Sequence, residues 1–458
     1  MRVSKLEKSI GIEVYATSSP GIGGVIRHSC EDFIVEELLV NGSKAEVSVP
    51  HISPPTHEQP LTSRYLLCVL VKRNWDTFQA LEAIAEQLGI SPQKIHIAGI
   101  KDAKAVTAQH VTIRDVKPED VKNISIRDIK IVPLGYFKTK LSPYYLFGNS
   151  FKITVRALSH TKTVIQQRIE KVVKEIEALG GVPNFFGHQR FGTIRPITHL
   201  VGKAIVKGDF RRAAMLFLAK SYPFEHSESR TAREELYRTQ DFKKALKTFP
   251  KHLYYERLML KHLAKKPDDF KGAFKKLPIK LRILFPQAYQ AYLFNKFLSR
   301  RIALGLPLNA AEDGDYVVKI EATGLPSERL REIASREKLS EIDSAISSGK
   351  MGLALPLAGF RQHLSEGYQG EIEKQVLEEE GITLENFKVK GMPELSLKGG
   401  LRIVLTTSKD FRIEEISKDP LNPQKSMVKI SFTLHRGSYA TISLRELMKP
   451  RNPIKAGF

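Results

Sequence analysis

His96-Ile97-Ala98-Gly99-Ile100-Lys101-Asp102-Ala103-Lys104-Ala105-Val106-Thr107-Ala108-Gln109 is the run on which the reading of this chain turns. A short apolar strand stops at Gly99, whose missing Cβ lets the backbone turn tightly, and the next residues present a cation and a carboxylate at the strand's end. Active-site groups often sit in such places, although an Asp after a Gly is also a common turn residue that bonds its own backbone. Upstream, Tyr65-Leu66-Leu67-Cys68-Val69-Leu70-Val71 is a near-continuous apolar run, short enough for a strand buried on both faces. Asp76 can then cap a helix to Leu88, with Phe78, Leu81, Ile84, Ala85 and Leu88 on one stripe and Gly89 as its stop. Strand, helix and strand in succession predict a mixed α/β fold.

Working outward, Val25-Ile26 and Phe33-Ile34-Val35 read as short strands around a turn at residues 28–32, and His51 to Gln59, with Pro54-Pro55, as a loop. Val111 to Ile113 and Phe151 to Val155 are further strands, and a helix is expected from Thr163 to Leu179, ending at Gly180-Gly181. Beyond Gly192 the texture changes to helices rich in Lys and Arg, including Asp241 to Phe249 and Ala288 to Ile302, separated by Pro-containing loops. Val428, Ile430, Phe432 and Leu434 alternate as a half-buried strand, and Ser438 to Met448 fits a short helix. This late alternation matches the first third of the chain more than the middle, so a domain inserted between two halves of another is the expected layout.

The 458 residues include 72 Lys and Arg against 50 Asp and Glu, a formal net charge of +22. Such a surplus attracts a polyanion by neutralising phosphates and releasing counterions, which makes nucleic acid the leading partner. Only Cys30 and Cys68 occur, too few for a disulfide framework and too far apart for a metal knuckle, so a reducing cytoplasm is expected and structural zinc is not. No stretch of about 18 apolar residues appears, so neither secretion nor a membrane span is expected.

Two more segments carry chemistry. Gly181-Val182-Pro183-Asn184-Phe185-Phe186-Gly187-His188-Gln189-Arg190-Phe191-Gly192 mixes aromatic surfaces, amide donors and glycines, which suits a base pocket or a loop pinned by buried phenylalanines. Leu434-His435-Arg436-Gly437-Ser438-Tyr439-Ala440-Thr441-Ile442-Ser443-Leu444-Arg445-Glu446-Leu447 reads as a strand, a glycine and a helix start. The exposed N–H groups there, with Arg436, favour an anion such as phosphate; equally, Ser438 can simply cap the helix, with Arg445 and Glu446 on its surface.

Taken in order, the three segments resemble the TruD family of tRNA pseudouridine synthases, and its longer archaeal-type members more than the compact bacterial ones. Lesser matches are Glu31-Asp32-Phe33-Ile34-Val35-Glu36-Glu37, Gly148-Asn149-Ser150-Phe151, Ala288-Tyr289-Gln290-Ala291-Tyr292 with Asn295, and Leu355-Pro356. The resemblance implies an α/β catalytic domain with a mixed, largely antiparallel sheet flanked by helices, interrupted by an α/β insertion. The corresponding expectation is a catalytic domain over 1–200 and 401–458 and an insertion over 201–400. It implies isomerisation of uridine to pseudouridine, usually at position 13 of tRNA, by a cytoplasmic enzyme expected to act as a monomer, with no membrane partner, cofactor or metal.

Carried over residue by residue, the resemblance makes Asp102 the catalytic aspartate with Lys101 beside it, Arg27 the nearby cation and Phe33 a stacking ring. Asn184 and Phe186 match base-pocket positions, and Tyr439 falls where an aromatic residue packs over the base. Arg190 and Arg436, and on the insertion Arg211, Arg212, Lys243 and Lys244, are candidate RNA contacts or solvated surface charges. Two departures stand out: Arg27 replaces the Lys of bacterial members, a planar fork for a point charge, and His435-Arg436 replaces Pro-Lys or Pro-Ala before Gly-Ser. Adjacent residues on an extended strand point to opposite faces, so Lys101 cannot pair with Asp102 there and Arg27 is the expected partner. A non-catalytic RNA-binding or ribosome-assembly protein would satisfy the charge alone. A methyltransferase reading of Pro20-Gly21-Ile22-Gly23-Gly24 lacks the strand before the glycines and the helix after them.

Overall fold

Apolar residues at every second position, or at every position, generate the strands, and their burial decides where each one sits. A computed structural model describes residues 2–48, 64–321 and 323–458; the loop expected over His51 to Gln59 lies outside the described residues. Strands β1 (Phe33–Leu39), β2 (Tyr65–Arg73), β3 (Ile95–Ile97), β4 (Val106–Arg114), β5 (Ile129–Phe137) and β6 (Leu146–Leu158) come first. They are followed by β7 (Val182–Pro183), β8 (Tyr316–Ile320), β9 (Pro326–Ile333), β10 (Met351–Leu357) and β11 (Gly400–Ile403). Last come β12 (Leu405–Thr406), β13 (Ser408–Asp419) and β14 (Asn422–His435).

The large sheet has the order β13-β14-β6-β1-β4-β2-β5, with β3 also on β4. Its β1–β4 pair is parallel and its other pairs are antiparallel. β4 lies inside this order and is buried along all but its last residue. Chain segments almost three hundred residues apart meet where β14 pairs with β6, from His435 opposite Gly148 to Ser426 opposite Leu158. A second, antiparallel sheet has the order β11-β10-β8-β9, and β7 pairs with β12.

One face of the large sheet packs Leu66, Cys68 and Leu70 of β2 against Ala80, Leu81, Ile84 and Ala85 of the helix Thr77–Gln87. Asp76 caps that helix by accepting from the N–H groups of Phe78 and Gln79. Phe78 itself is 52% exposed, off the expected stripe, because the buried arc centres on Ala80, Leu81 and Ile84. Further along the sheet, Phe33, Phe151, Ile153 and Phe432 pack with Ile165 and Ile169 of the helix Lys162–Ala178 and Leu444 of the helix Ala440–Met448. Val25 forms only an isolated bridge to Arg156, not the expected strand. Arg445 and Glu446 are fully buried, not on a helix surface: Arg445 bonds Glu7 at 2.6 Å and Glu446 at 2.8 Å, and Glu446 accepts from Thr17.

The middle of the chain is largely helical from Thr198 to Ala303. The helix expected from Ala288 to Ile302 in fact runs from Ile279 to Ala303 through Pro286, so that proline is tolerated inside it. Gly202, on the helix Thr198–Val206, permits the crossing, since a Cβ there would lie 2.0 Å from the Phe285 carbonyl oxygen. Phe285 and Phe274 centre one apolar cluster here, while Phe294, Phe297 and Leu355 share another with Ile10, Phe185, Phe191 and Ile442. Among the described residues no helix is long and apolar enough to cross a membrane.

Beside that second cluster Arg301 binds Asp315 through both guanidinium nitrogens, at 2.8 and 2.7 Å, and touches Gln369, which donates to Glu373. Burial pushes the Glu373 carboxyl up to about 7, against hydrogen bonds from Ser365 and Gln369 and with the Asp315 charge adding to it. Folded protein therefore keeps a proton that the unfolded chain has already released, and stability present below pH 4.5 is lost as pH rises towards 7. Glu373→Gln should remove this slope, worth up to about 3 kcal/mol at about 1.4 kcal/mol per unit, in urea unfolding followed from pH 4.5 to 7.5.

Candidate active site

Between β3 and β4 the chain is held by its backbone. Lys101 N–H donates to Thr77 Oγ1 at 3.2 Å, Thr77 Oγ1 donates to the Lys101 carbonyl at 3.1 Å, and Gln109 Nε2 donates to the Gly99 carbonyl at 3.3 Å. Lys72, at the end of β2, donates to the Asp102 carbonyl oxygen at 2.8 Å and to that of Trp75 at 2.7 Å. The Asp102 carboxylate is left 36% exposed, with Arg27 Nη2 3.0 Å from its Oδ1.

Arg27 is itself tightly constrained. Its backbone has φ +56°, a conformation L-residues seldom adopt, directly after two anchored residues: Val25 in the bridge to Arg156, and Ile26, whose N–H donates to the Ala456 carbonyl at 2.9 Å. Its guanidinium lies 4.0 Å over the Phe33 ring, and Nη1 donates to the Gly457 carbonyl at 3.3 Å. Burial lowers the Arg27 pKa and the Asp102 charge opposes that. Gly457 has φ +87°, and a Cβ there would sit 2.0 Å from the Ile26 carbonyl oxygen, so only glycine allows this approach.

Two expectations change here. Lys101, grouped with the catalytic residues from sequence, is buried and forms an ion pair with Glu37 at 2.6 Å, away from Asp102. Phe33, expected to stack on a base, is 1% exposed, and the Arg27 guanidinium lies over its ring. Phe33 is turned inward by the alternation of β1, whereas Lys101, in the loop between β3 and β4, is drawn inward by its buried partner Glu37.

A second cluster gathers the remaining pocket residues. Asn295 accepts from the Phe186 N–H at 2.8 Å and donates to the Phe186 carbonyl at 3.1 Å, fixing that loop. Arg402 donates to Asn184 Oδ1 at 2.6 Å, to the Asn184 carbonyl at 3.0 Å and to the Gly437 carbonyl at 2.9 Å, and stacks 4.0 Å over Phe186. Burial pulls the Arg402 guanidinium down to about 10, with Tyr439 opposing and Arg190 adding. The Tyr439 ring lies 6.2 Å from that of Phe186, edge to face. Arg190 reaches Gln287 at 3.3 Å, and its buried Nε has no hydrogen-bond partner among the described residues. Asn184, Arg402, Lys409, His435, Arg436 and Ser438 line part of a cavity of about 620 Å³ that the second sheet walls on its other side.

The two clusters are joined through the segment after Asn452. Gly457 accepts from Arg27, while the Phe458 ring meets that of His188, 5.9 Å away, in the Phe186 loop. Ser438 does not cap its helix as one reading expected; Tyr439 takes the N-cap position and Ser438 bonds Thr406 at 2.7 Å. Arg436 spends one N–H on the Pro143 carbonyl at 2.5 Å. Arg211, Arg212 and Lys243 are exposed on the helical region; Lys244, also exposed, pairs with Glu235 at 2.8 Å. Among the described residues no group of three or more His, Cys, Asp or Glu is arranged to hold a metal ion.

The family model for tRNA pseudouridine synthase D (TruD) matches residues 9–447. The chain belongs to this family. A relative from Methanosarcina barkeri, described as a probable tRNA pseudouridine synthase D, is 40% identical over 450 residues, 98% of each chain. A relative from Pyrococcus furiosus with the same description is 36% identical over 436 residues, covering 95% of this chain and 98% of its own. The crystal structure of a TruD-family protein from Methanosarcina mazei superposes with a TM-score of 0.83 at 40% identity, covering 99% of this chain and 100% of that one. Within this TruD-family chain, sequence reading missed Arg402 and Lys72. Arg402 sits 218 residues from Asn184 with no local signal; Lys72 was visible as a cation ending an otherwise apolar strand.

Burial raises Glu37, but the His110 and Lys101 contacts outweigh it and hold the carboxyl below its ordinary pKa of 4.5. Its contribution to stability is therefore present above that pH and lost in acid. Lys101→Met would leave this buried carboxylate with His110 but no partner cation at Oε2, so urea unfolding at pH 7 should show a loss of up to about 3 kcal/mol, the lower end for breaking a buried pair, that shrinks as Glu37 protonates.

Proposed function

We propose that this chain isomerises uridine to pseudouridine at position 13 of tRNA, with Asp102 as the catalytic carboxylate and Arg27 as its cation. The Arg27–Asp102 ion pair carries this reading: a partly exposed carboxylate, engaged at Oδ1 by a buried guanidinium, beside a loop held by its own backbone. Oδ2, which has no hydrogen-bond partner among the described residues, is the oxygen offered to the ribose. The reaction breaks the N1–C1′ bond, turns the uracil within its pocket and joins C5 to C1′; C5 loses a proton and N1 gains one. Atoms and electrons balance within the nucleoside, so no cofactor is needed. The carboxylate acts either as nucleophile at C1′ or as base at C2′, and a neighbouring cation favours the ionised form that both routes require.

Flipping a uridine out of folded RNA costs a few kcal/mol, against which stacking on one aromatic side chain returns about 1–3 kcal/mol per base. Phe186 and Tyr439 are the rings proposed for this; Asn184, expected at a base-pocket position, is buried with Oδ1 taken by Arg402 and Nδ2 donating to the Ile403 carbonyl, so it braces the pocket wall instead of reading the base. Phe33 instead supports Arg27 from below. Arg190, Arg436, Arg211, Arg212 and Lys243 take backbone phosphates, while Lys244 would first have to leave Glu235. The same reading assigns residues 1–200 and 401–458 to a catalytic domain and 201–400 to an insertion, which the pairing of β6 with β14 supports. The setting is cytoplasmic and the working unit a monomer.

Unmodified tRNA tritiated at uracil C5 tests this. Wild type should release tritium; Asp102→Asn should lower release by at least about 10²-fold, the lower end for loss of one proton-transferring group, with tRNA affinity retained. Arg27→Met should slow release less severely. A wild-type protein that binds tRNA and releases nothing is a binding protein instead.

A further inference from the structure

Lys72 is 0% exposed in the sheet and has no carboxylate within ion-pairing distance among the described residues. Leaving an ammonium in such a place is unfavourable unless its N–H groups find acceptors to replace water. Two of them do, and both go to main-chain oxygens: Trp75 at 2.7 Å, just before the helix Thr77–Gln87, and Asp102 at 2.8 Å. Thr77, the first residue of that helix, holds both the N–H and the carbonyl of Lys101, the residue before Asp102. The strand end, the helix start and the loop bearing Asp102 are thus tied at one buried cation.

We infer that Lys72 is a positioning residue for the reaction, holding the Asp102 main chain so that its carboxylate meets the ribose while Arg27 holds the side chain. The inference rests on the proposed synthase activity. A lysine is suited to this because carbonyl oxygens bind an ammonium better than a neutral amine, so the grip weakens when the proton leaves. The groups acting on it are few: Asp102 and Asp76 favour the charged form and Lys101 disfavours it, while its strand neighbours, Thr107 on β4 and Ile129 on β5, do not titrate. Burial outweighs the two carboxylates and brings the Lys72 ammonium down to about 8.

Turnover should therefore be full below pH 8 and fall above it, as the folded protein gives up this proton. Tritium release from C5-labelled tRNA, measured under saturating and limiting tRNA from pH 6.5 to 9.5, is the test, with Lys72→Met and Lys72→Arg beside wild type. Lys72→Met should lower kcat at least tenfold at pH 7 while KM and tRNA affinity stay within about twofold, and its residual rate should lack the limb near pH 8. Lys72→Arg, which cannot lose its charge, should recover part of kcat and also lack that limb. If Lys72→Met keeps the wild-type kcat, or shares an alkaline limb with wild type, the limb belongs to the uracil and the inference is wrong. The wild-type profile reads the limb even if a variant does not fold, and a flat profile to pH 9 also overturns it. No tritium release from wild type at any pH defeats the synthase reading itself, a different outcome from a variant that matches wild type.

Discussion

The contact between Arg27 Nη2 and Asp102 Oδ1 is where the separate parts of this molecule come to bear on one another. A guanidinium taken out of water beside a carboxylate is stable only if its remaining donors and its flat face are also satisfied. Phe33 supplies the face and Gly457 a carbonyl oxygen. Gly457 can do so only because it lacks a Cβ, and the neighbouring Ala456 carbonyl fixes the Ile26 backbone. The same segment reaches His188 through Phe458, so the loop carrying Phe186 is set by contacts that also set Arg27.

Basic residues serve two ends in this chain. Arg156 holds Asp32 and Asp419, Arg445 holds Glu7 and its neighbour Glu446, Arg301 holds Asp315 and Lys101 holds Glu37; the Arg156, Arg445–Glu7 and Lys101 pairs tie stretches distant in sequence. Arg156 also bears on the site, since its main chain bridges Val25 and its side chain anchors the turn that leads into Phe33. Breaking such a pair costs more than forming it gained, because a charge is left without water or partner. Exposed cations such as Arg211, Arg212 and Lys243 lie instead along the helical region, where a polyanion can be met without desolvating the interior.

Much of this arrangement could be read in advance. The strand Tyr65–Arg73, the Asp76-capped helix and the alternation ending at His435 declared themselves by apolar periodicity and cap chemistry, both local in sequence. Boundaries failed where tertiary contact overrode a local signal: the helix expected to start at Ala288 already begins at Ile279 and runs through Pro286, and Val25-Ile26 did not extend into a strand. For the site, Arg27 is the residue that meets Asp102 as expected, although Lys101 and Asp102 lie in a loop and not on the extended strand that the expectation assumes. Phe33 was misjudged because an aromatic residue next to a cation in space looks the same in sequence whether it supports that cation or a ligand.

Residue order alone marked most of the strands and helices and the basic surplus, and singled out the three segments proposed to hold the chemistry, since periodicity, caps and turn glycines act over a few neighbours. Only the tertiary structure decided that Lys101 faces inward to Glu37, that Arg402 braces Asn184 from 218 residues away, and that Lys72 grips the Asp102 carbonyl. The reason is physical: a buried charge takes whatever partner the packed chain brings within about 3 Å, and that distance is a property of the fold, not of the spacing along the chain.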